Sequence, residues 1–275
     1  MTLIHGSKLQ RKAAEDAGLK SVVVAYTAWR EQSEAITGRK QKDIRALTKL
    51  LEAYKSFAEP ILDTRQNSAQ EVLQSSIIEE FFQHVFRFVE RDVVVGLQTG
   101  PAAGFIDLVF NPKDVKSLVT APDFTIRRKD HDFVIGATVQ LTVKAVGSEE
   151  SKAESIVVPA IAIECKRYLE RNMLDECAGT AEKVKRATPY CLFFVVAEFL
   201  KMDDAAPEVS LIDEIFILRK QRNSERLANG FRPNPIDANL VWEIYDGSIR
   251  HLRKVWWNPQ SALTTGKAFG RPQFP

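Results

Sequence analysis

The stretch VVPAIAIECKRYLERNMLDECAGTAEKVKRATPYCLFFVVAEF, residues 157–199, constrains the fold more than any other part of the chain. It opens and closes with apolar runs of strand length that do not alternate with polar residues, the pattern of strands buried on both faces. Between them lies a polar stretch that reads as a helix near residues 172–187. Strand, helix and strand in this order form a βαβ unit, whose crossover is almost always right-handed. Yet the first strand ends in Glu164 and Lys166. Two residues apart on a strand means the same face, so a carboxylate and an ammonium project side by side from the tip of an apolar strand. Charges there are costly unless they are paired or bound to something. They are therefore either a structural ion pair or a site, and ligand sites in open α/β sheets gather at strand ends.

The rest of the chain divides by periodicity. Residues 7–90 read as helical: KQKDIRALTKLLEAYKSFA sets Ile44, Leu47, Leu50, Leu51 and Tyr54 on one face. Ser68-Ala-Gln-Glu71 has the form of a capping box opening the helix EVLQSSIIEEFFQHVFRFV. Period-two segments follow, DVVVGLQ, GFIDLVF, DFTIRR, DFVIGATVQLTV and SIVVPAIAIECK, and DEIFILR begins a last strand at 213. A final helix is expected over 237–254, with a Gly- and Pro-containing tail after Trp257. Helices first, then strands with one crossover helix, give an α/β fold, a mixed sheet packed by helices. The 275 residues carry a net charge of only +2, so a nucleic-acid-binding surface would have to be a local patch. No apolar run approaches the length of a membrane helix, and the N-terminus lacks the apolar centre of a signal peptide. Cys165, Cys177 and Cys191 contain no CxxC pair, which argues for reduced thiols in a cytoplasm and against a zinc site.

Glu-x-Lys at a strand end suits metal-dependent phosphodiester hydrolysis. That chemistry needs a second carboxylate to share a Mg²⁺, and a lysine beside the attacking water and the phosphate. Asp107, Asp123 (after Pro122), Asp130 and Asp132 all precede the pair. If DFVIGATVQLTV and SIVVPAIAIECK form a hairpin turning near Glu149, Asp132 falls opposite Lys166 with Glu164 one step diagonal. Asp132 is the choice and Asp123 the second; a register slip of one residue would reverse the facing. Glu80, at the edge of the apolar arc of its helix, is a possible further acid, and the backbone carbonyl of Cys165 a possible further metal ligand. The Cys165 thiol should face away from the site. His131 should point to the opposite face from Asp132 and be structural, and His84 reads as a core-edge histidine.

Asp…Glu-x-Lys on neighbouring strands, followed by a helix and a buried strand, resembles the PD-(D/E)XK nuclease superfamily. The stretches NSAQEVLQSSIIEEFF, KDHDFVIG, IAIECKRYLERNMLDECAGTAE, KRATPYC, IDEIFILRKQRNSE and PNPIDANL resemble the BbvCI-type restriction endonucleases, most of all the second of two subunits. The resemblance runs from about residue 5 to 270 and is looser in the N-terminal helices and around 92–120. It implies a single nuclease domain over 1–275, made of a helical region (1–90), a mixed-sheet catalytic core (91–257) and a C-terminal tail (258–275). It also implies a type II site-specific deoxyribonuclease that uses Mg²⁺ to cut both strands of duplex DNA. The assembly implied has one catalytic site per strand, as a homodimer or as a heterodimer with a homologous subunit, at a site of the form CCTNAGC or GCTNAGC. On that resemblance Asp132 and Glu164 match the metal ligands, Lys166 the catalytic lysine, and Glu80 a helical acid near the site. The superfamily's Pro-Asp is absent at Asp132, which follows His131.

Three basic patches offer themselves to DNA: Arg127 and Arg128 leading into the catalytic strand, Arg167 and Arg171 after the lysine, and Lys220, Arg222 and Asn223 in RKQRN. Arg suits guanine and Asn or Gln adenine, though the same side chains could contact phosphate alone. Two other classes fit the same residues. One is a nuclease of this fold that reads DNA structure in repair or junction resolution. The other is a non-catalytic recognition subunit, against which an intact Asp/Glu/Lys set argues.

Overall fold

The computed structural model describes residues 3–64, 73–121, 123–203, 205–227, 231–254 and 256–266. In chain order the elements are α1 (Ile4–Glu15), α2 (Lys20–Ala35), α3 (Gln41–Asp63), α4 (Ser75–Val85), α5 (Val89–Asp92), β1 (Leu97–Phe110), α6 (Val115–Thr120), β2 (Phe124–Lys144), β3 (Ser151–Leu169), α7 (Arg171–Ala187), β4 (Leu192–Leu200), β5 (Glu214–Ile217), α8 (Ala238–Arg253) and α9 (Pro259–Thr265). The expected α/β fold holds. One five-stranded sheet runs in the order β1-β2-β3-β4-β5, antiparallel across β1–β2–β3 and parallel across β3–β4–β5. The proposed capping box at Ser68–Glu71 lies outside the described residues.

The βαβ unit is β3-α7-β4, and its strands are apolar on both faces because both are covered. Ile161, Ile163, Leu192, Phe194 and Val196 pack with the N-terminal helices and α8. Ala162, Phe193, Val195 and Ala197 pack under α7, against Leu174, Cys177, Ala181 and Val184. The N-terminal helices join the sheet through the apolar stripe of α3 (Ile44, Leu47, Leu51, Tyr54, Ala58 and Leu62) and through α4, every residue of which is buried. α8 is opened by the Asp237 carboxylate, which accepts from the Asn239 N–H, and closed by Arg250, His251 and Arg253 at the negative end of its dipole.

Two features of the strands differ from expectation. Of DVVVGLQ only Leu97-Gln98 are strand, Asp92 closing α5, and they are not separate from GFIDLVF: β1 starts at Leu97 and runs through Gly100-Pro101. DFTIRR and DFVIGATVQLTV are likewise one strand of 21 residues. The segments between them look like breaks because they hold Gly, Pro and clustered charges. Pairing nevertheless continues through them, with irregularities at Gly100/Ala102 and Phe105/Asp107. The tail also carries a short helix, α9, opened by Asn258 accepting from the Ser261 N–H.

Buried charge ties the helical layer to the sheet. The Lys55 side chain of α3 is fully buried, with its Nζ 2.7 Å from Glu59 and 2.9 Å from Glu198 of β4. Arg219, just after β5, is also buried. It reaches Glu198 (2.9 Å) and Glu52 (3.1 Å).

A second polar cluster lies among the helices. His5 Nε2 is 2.6 Å from the Tyr54 hydroxyl, and Nδ1 lies 3.0 Å from the Leu73 carbonyl and 3.1 Å from Ser76 Oγ. Burial, only partly offset by the Leu73 carbonyl, pushes the His5 pKa down from 6.5 to about 3. The folded chain thus keeps His5 neutral where the unfolded chain protonates it. Between pH 6.5 and about 3 the unfolded state binds the extra proton, so stability falls as pH falls through that window, by about 1.4 kcal/mol per pH unit. Replacing His5 by Asn should remove this part of the acid sensitivity. Urea unfolding of both chains at pH 7 and 4.5 measures it as a smaller loss for the variant; equal losses would contradict it.

Candidate active site

The carboxylates and the lysine meet where β2 and β3 part. The β2–β3 ladder runs from Lys144↔Ser151 to Phe133↔Ile163. Beyond it the Asp132 side chain takes over the role of a strand partner: its Oδ2 accepts from the backbone N–H of Cys165 at 2.7 Å. Lys166 Nζ lies 3.5 Å from Asp132 Oδ2 and 3.3 Å from Glu164 Oε2. The structure therefore brings Asp132, Glu164 and Lys166 together.

The route to this arrangement is not the one expected. The hairpin turns between Lys144 and Ser151, before Glu149 is centred, and the register next to the turn, if continued, would set Asp132 against Ile163 on the wrong face. A bulge corrects it. The pairing steps from Gly136↔Pro159 to Ile135↔Ile161, leaving Ala160 as an extra residue in β3. Proline lacks the N–H for a regular ladder and favours such a place. Gly136 is required at the bulge, because a Cβ there would lie 2.4 Å from the Val158 carbonyl oxygen.

A second bulge turns His131. Gly100 pairs with Val134 and Ala102 with His131, so Asp132 and Phe133 together oppose Pro101. As a result Phe133 packs with Phe82 and Phe86 on the helical side, while His131 meets the edge of Phe193 on the α7 side. The expectation that His131 faces away from the site is corrected: its Nδ1 is 2.9 Å from Glu164 Oε1. The Cys165 thiol is buried in the helical-side core, as expected.

Glu80 is also corrected. Its Oε1 accepts from the Tyr26 hydroxyl (2.6 Å) and its Oε2 from the Gly6 N–H (3.0 Å), so both oxygens are committed to the packing of α1 and α2 on α4. The acid of α4 that senses the site is its neighbour Glu79. Burial, and then the charge of Asp132, raise the pKa of Glu79, while Lys8 and Lys166 draw it down. Lys8 Nζ lies 3.7 Å from Glu79. Because α4 is buried all round, a helical wheel does not distinguish the two neighbours.

The electrostatics of the cluster are divided. Burial raises the Asp132 pKa despite Lys166. At Glu164 burial acts the same way, but the His131 hydrogen bond and the Lys166 charge outweigh it and hold the pKa low. For Lys166, burial favours the neutral amine, and Asp132 and Glu164 override it, so the ammonium is kept. Among the described residues, no group of three or more His, Cys, Asp or Glu side chains forms a metal cage. Mg²⁺ asks for less, since one or two carboxylates suffice and it keeps several waters. Two hard carboxylate oxygens converging on one cationic position fit that ion, and Asp132 and Glu164 could hold it.

The DNA candidates are distributed unevenly. Arg167 is not available: it makes a bidentate pair with Asp63 at 2.9 and 3.0 Å, fastening β3 to the end of α3. Arg127 pairs with Asp107 and Arg128 with Glu154, both exposed. Arg171 borders a shallow cleft with Glu170, Asn172, Asp175, Lys201 and Asp203. Lys220 pairs with Asp237, and Arg222 with Asp203. Asn223 opens a short 3-10 turn. Arg222 bridges to Leu200, which itself pairs with Leu169, so these residues flank the C-terminal ends of β3 and β4.

A mixed sheet flanked by helices, with two carboxylates and a lysine gathered where its strands part, has the core of a PD-(D/E)XK nuclease. A family model described as the Bpu10I restriction endonuclease matches residues 70–235. The chain belongs to that family, and with it to the restriction-endonuclease-like nucleases. A solved structure titled "native BbvCI A2B2 tetramer at low resolution" matches with a TM-score of 0.72 at 23% identity, covering 92% of this chain and 97% of the other. No curated protein matches. Among the described residues, no helix is long and apolar enough to cross a membrane.

Proposed function

We propose that the chain is the catalytic subunit of a type II restriction endonuclease that hydrolyses duplex DNA with Mg²⁺. The observation that carries the reading is the convergence of Asp132, Glu164 and Lys166 within 3.5 Å at the splayed end of β2 and β3. Asp132 and Glu164 would hold the metal, with the Cys165 carbonyl as a further oxygen. Mg²⁺, when bound, polarises the phosphate and makes the attacking water more acidic. Lys166, kept charged by both acids, sits against the scissile phosphate and stabilises the charge that develops there. Glu79 replaces Glu80 as the helical acid of the site.

Arg127, Arg128, Arg171, Lys220, Arg222 and Asn223 are the proposed DNA contacts. The ion pairs of Arg127, Arg128, Lys220 and Arg222 lie at the surface, where such pairs are worth little and phosphate can displace the acid. The relative solved as an A2B2 tetramer supports a multi-subunit assembly; homologous subunits that each cut one strand, with a single nuclease domain per chain, follow from the sequence resemblance. A target of the CCTNAGC or GCTNAGC type follows from the sequence resemblance.

The pattern of cuts tests the reading. Mapped ends from a sequenced plasmid should fall at one short motif. Cutting confined to branched or damaged DNA would instead place the chain among nucleases that read structure.

A further inference from the structure

The two oxygens of Glu164 have different surroundings. Oε2 faces Lys166 at 3.3 Å, whereas Oε1 lies 2.9 Å from His131 Nδ1. The imidazole is buried to the same degree as the core around it, its side chain having no exposed surface. Its Nε2 is buried with no hydrogen-bond partner among the described residues. That nitrogen is walled in by Gly104: a Cβ at that position would lie 3.0 Å from Cδ2 and 3.1 Å from Nε2 of the ring. The ring edge meets Phe193, with centroids 6.0 Å apart. Among the described residues His131 thus hydrogen-bonds to Glu164 alone, the proposed metal ligand. An unpartnered buried nitrogen is a standing cost, and a leucine or phenylalanine would fill the same space without it.

We propose that His131 is a positioning residue. By donating Nδ1–H to Oε1 it fixes the rotation of the Glu164 carboxylate and leaves Oε2 as the oxygen offered to the divalent cation. The inference rests on the reading of Asp132 and Glu164 as metal ligands. His131 is not itself a ligand, because Nδ1 is engaged by Glu164 and Nε2 is sealed behind Gly104. The Asp132–Phe133 bulge opposite Pro101 is what delivers the ring to the α7 side of β2. Partners that orient a ligating carboxylate are worth 10–100-fold in metal affinity.

Mn²⁺ binding to the purified full chain, followed by water-proton relaxation, tests this without relying on cleavage, with thermal melting measured on the same samples. His131→Ala should weaken Mn²⁺ binding by about 10–100-fold. His131→Asn, whose amide N–H can stand where Nδ1–H stood, should recover most of it. Gly104→Ala keeps the imidazole but crowds it, and should weaken binding in the same direction. Glu164→Ala should remove binding at this site. If His131→Ala binds Mn²⁺ like the parent while Glu164→Ala does not, the positioning role is wrong and the metal-site reading stands. Equal losses in His131→Ala and His131→Asn that track lowered melting would make His131 merely structural. If Glu164→Ala and Asp132→Ala both bind Mn²⁺ as the parent does, the metal-site reading itself fails.

Discussion

Lys166→Glu is expected to lower the rate of DNA cleavage by about a thousandfold or more, with the fold and DNA binding retained. Among the described residues, Lys166 is the one cation in contact with both Asp132 and Glu164. Reversing its charge gathers three carboxylates in a half-buried cleft. It removes the charge that meets the phosphate and replaces it with one that repels it. The side chain lies at the open end of the ladder, beyond Phe133↔Ile163, so the apolar contacts of β3 are not altered. Single-turnover cleavage of plasmid DNA, with binding measured in Ca²⁺, separates the two effects. Lys166→Met serves as a neutral check, and should be inactive for loss of the charge alone. Cleavage by Lys166→Glu at near the parental rate would contradict the role given to the lysine.

The largest effect on stability is expected at Glu198, whose carboxylate is fully buried between Lys55 and Arg219. Burial alone would discharge Lys55; Glu198 and then Glu59 outweigh it and keep the ammonium charged. Glu198→Ala leaves the buried ammonium with Glu59 alone and takes one carboxylate from the buried Arg219 guanidinium. Breaking a buried pair in this way costs about 3–5 kcal/mol, a fall in Tm on the order of 10 °C for a chain of this size. Removing both charges is a smaller insult than removing one, so Lys55→Met combined with Glu198→Leu should melt above Glu198→Ala. Thermal unfolding of the parent and the two variants checks the order. A Glu198→Ala melting point within a degree or two of the parent would show that the network carries no such weight.

The sequence made the βαβ unit legible because its signal is redundant. Two strands apolar on both faces and an amphipathic segment between them admit few arrangements, and the expected helix at 172–187 is α7, Arg171–Ala187. The final helix, expected over 237–254, is α8, Ala238–Arg253. The antiparallel arm was not. Gly100-Pro101 and the charges of KDHD read as breaks, although β1 and β2 pair through them. The register at the site was hidden for a related reason. Two bulges, one at Ala160 beside Pro159 and one at Asp132–Phe133 opposite Pro101, each change which face a side chain takes. Asp132 could be named because the Ala160 bulge restored its facing; His131 was misassigned because the Pro101 bulge moved it. The prolines were the available signal, since each must sit where the ladder can spare an N–H. Glu79 and Glu80 could not be separated on a helix with no exposed face. Nothing in the sequence around Arg167 reveals its partner Asp63, which lies 104 residues away.

If Asp132, Glu164 and Lys166 form a Mg²⁺-dependent centre for cutting DNA, supercoiled plasmid incubated with the purified chain should give nicked or linear product in Mg²⁺ and none in EDTA: linear if two copies of the chain suffice, nicked or partner-dependent if a homologous second subunit cuts the other strand. Equal cutting in EDTA, or none in Mg²⁺ with or without such a partner, would contradict it.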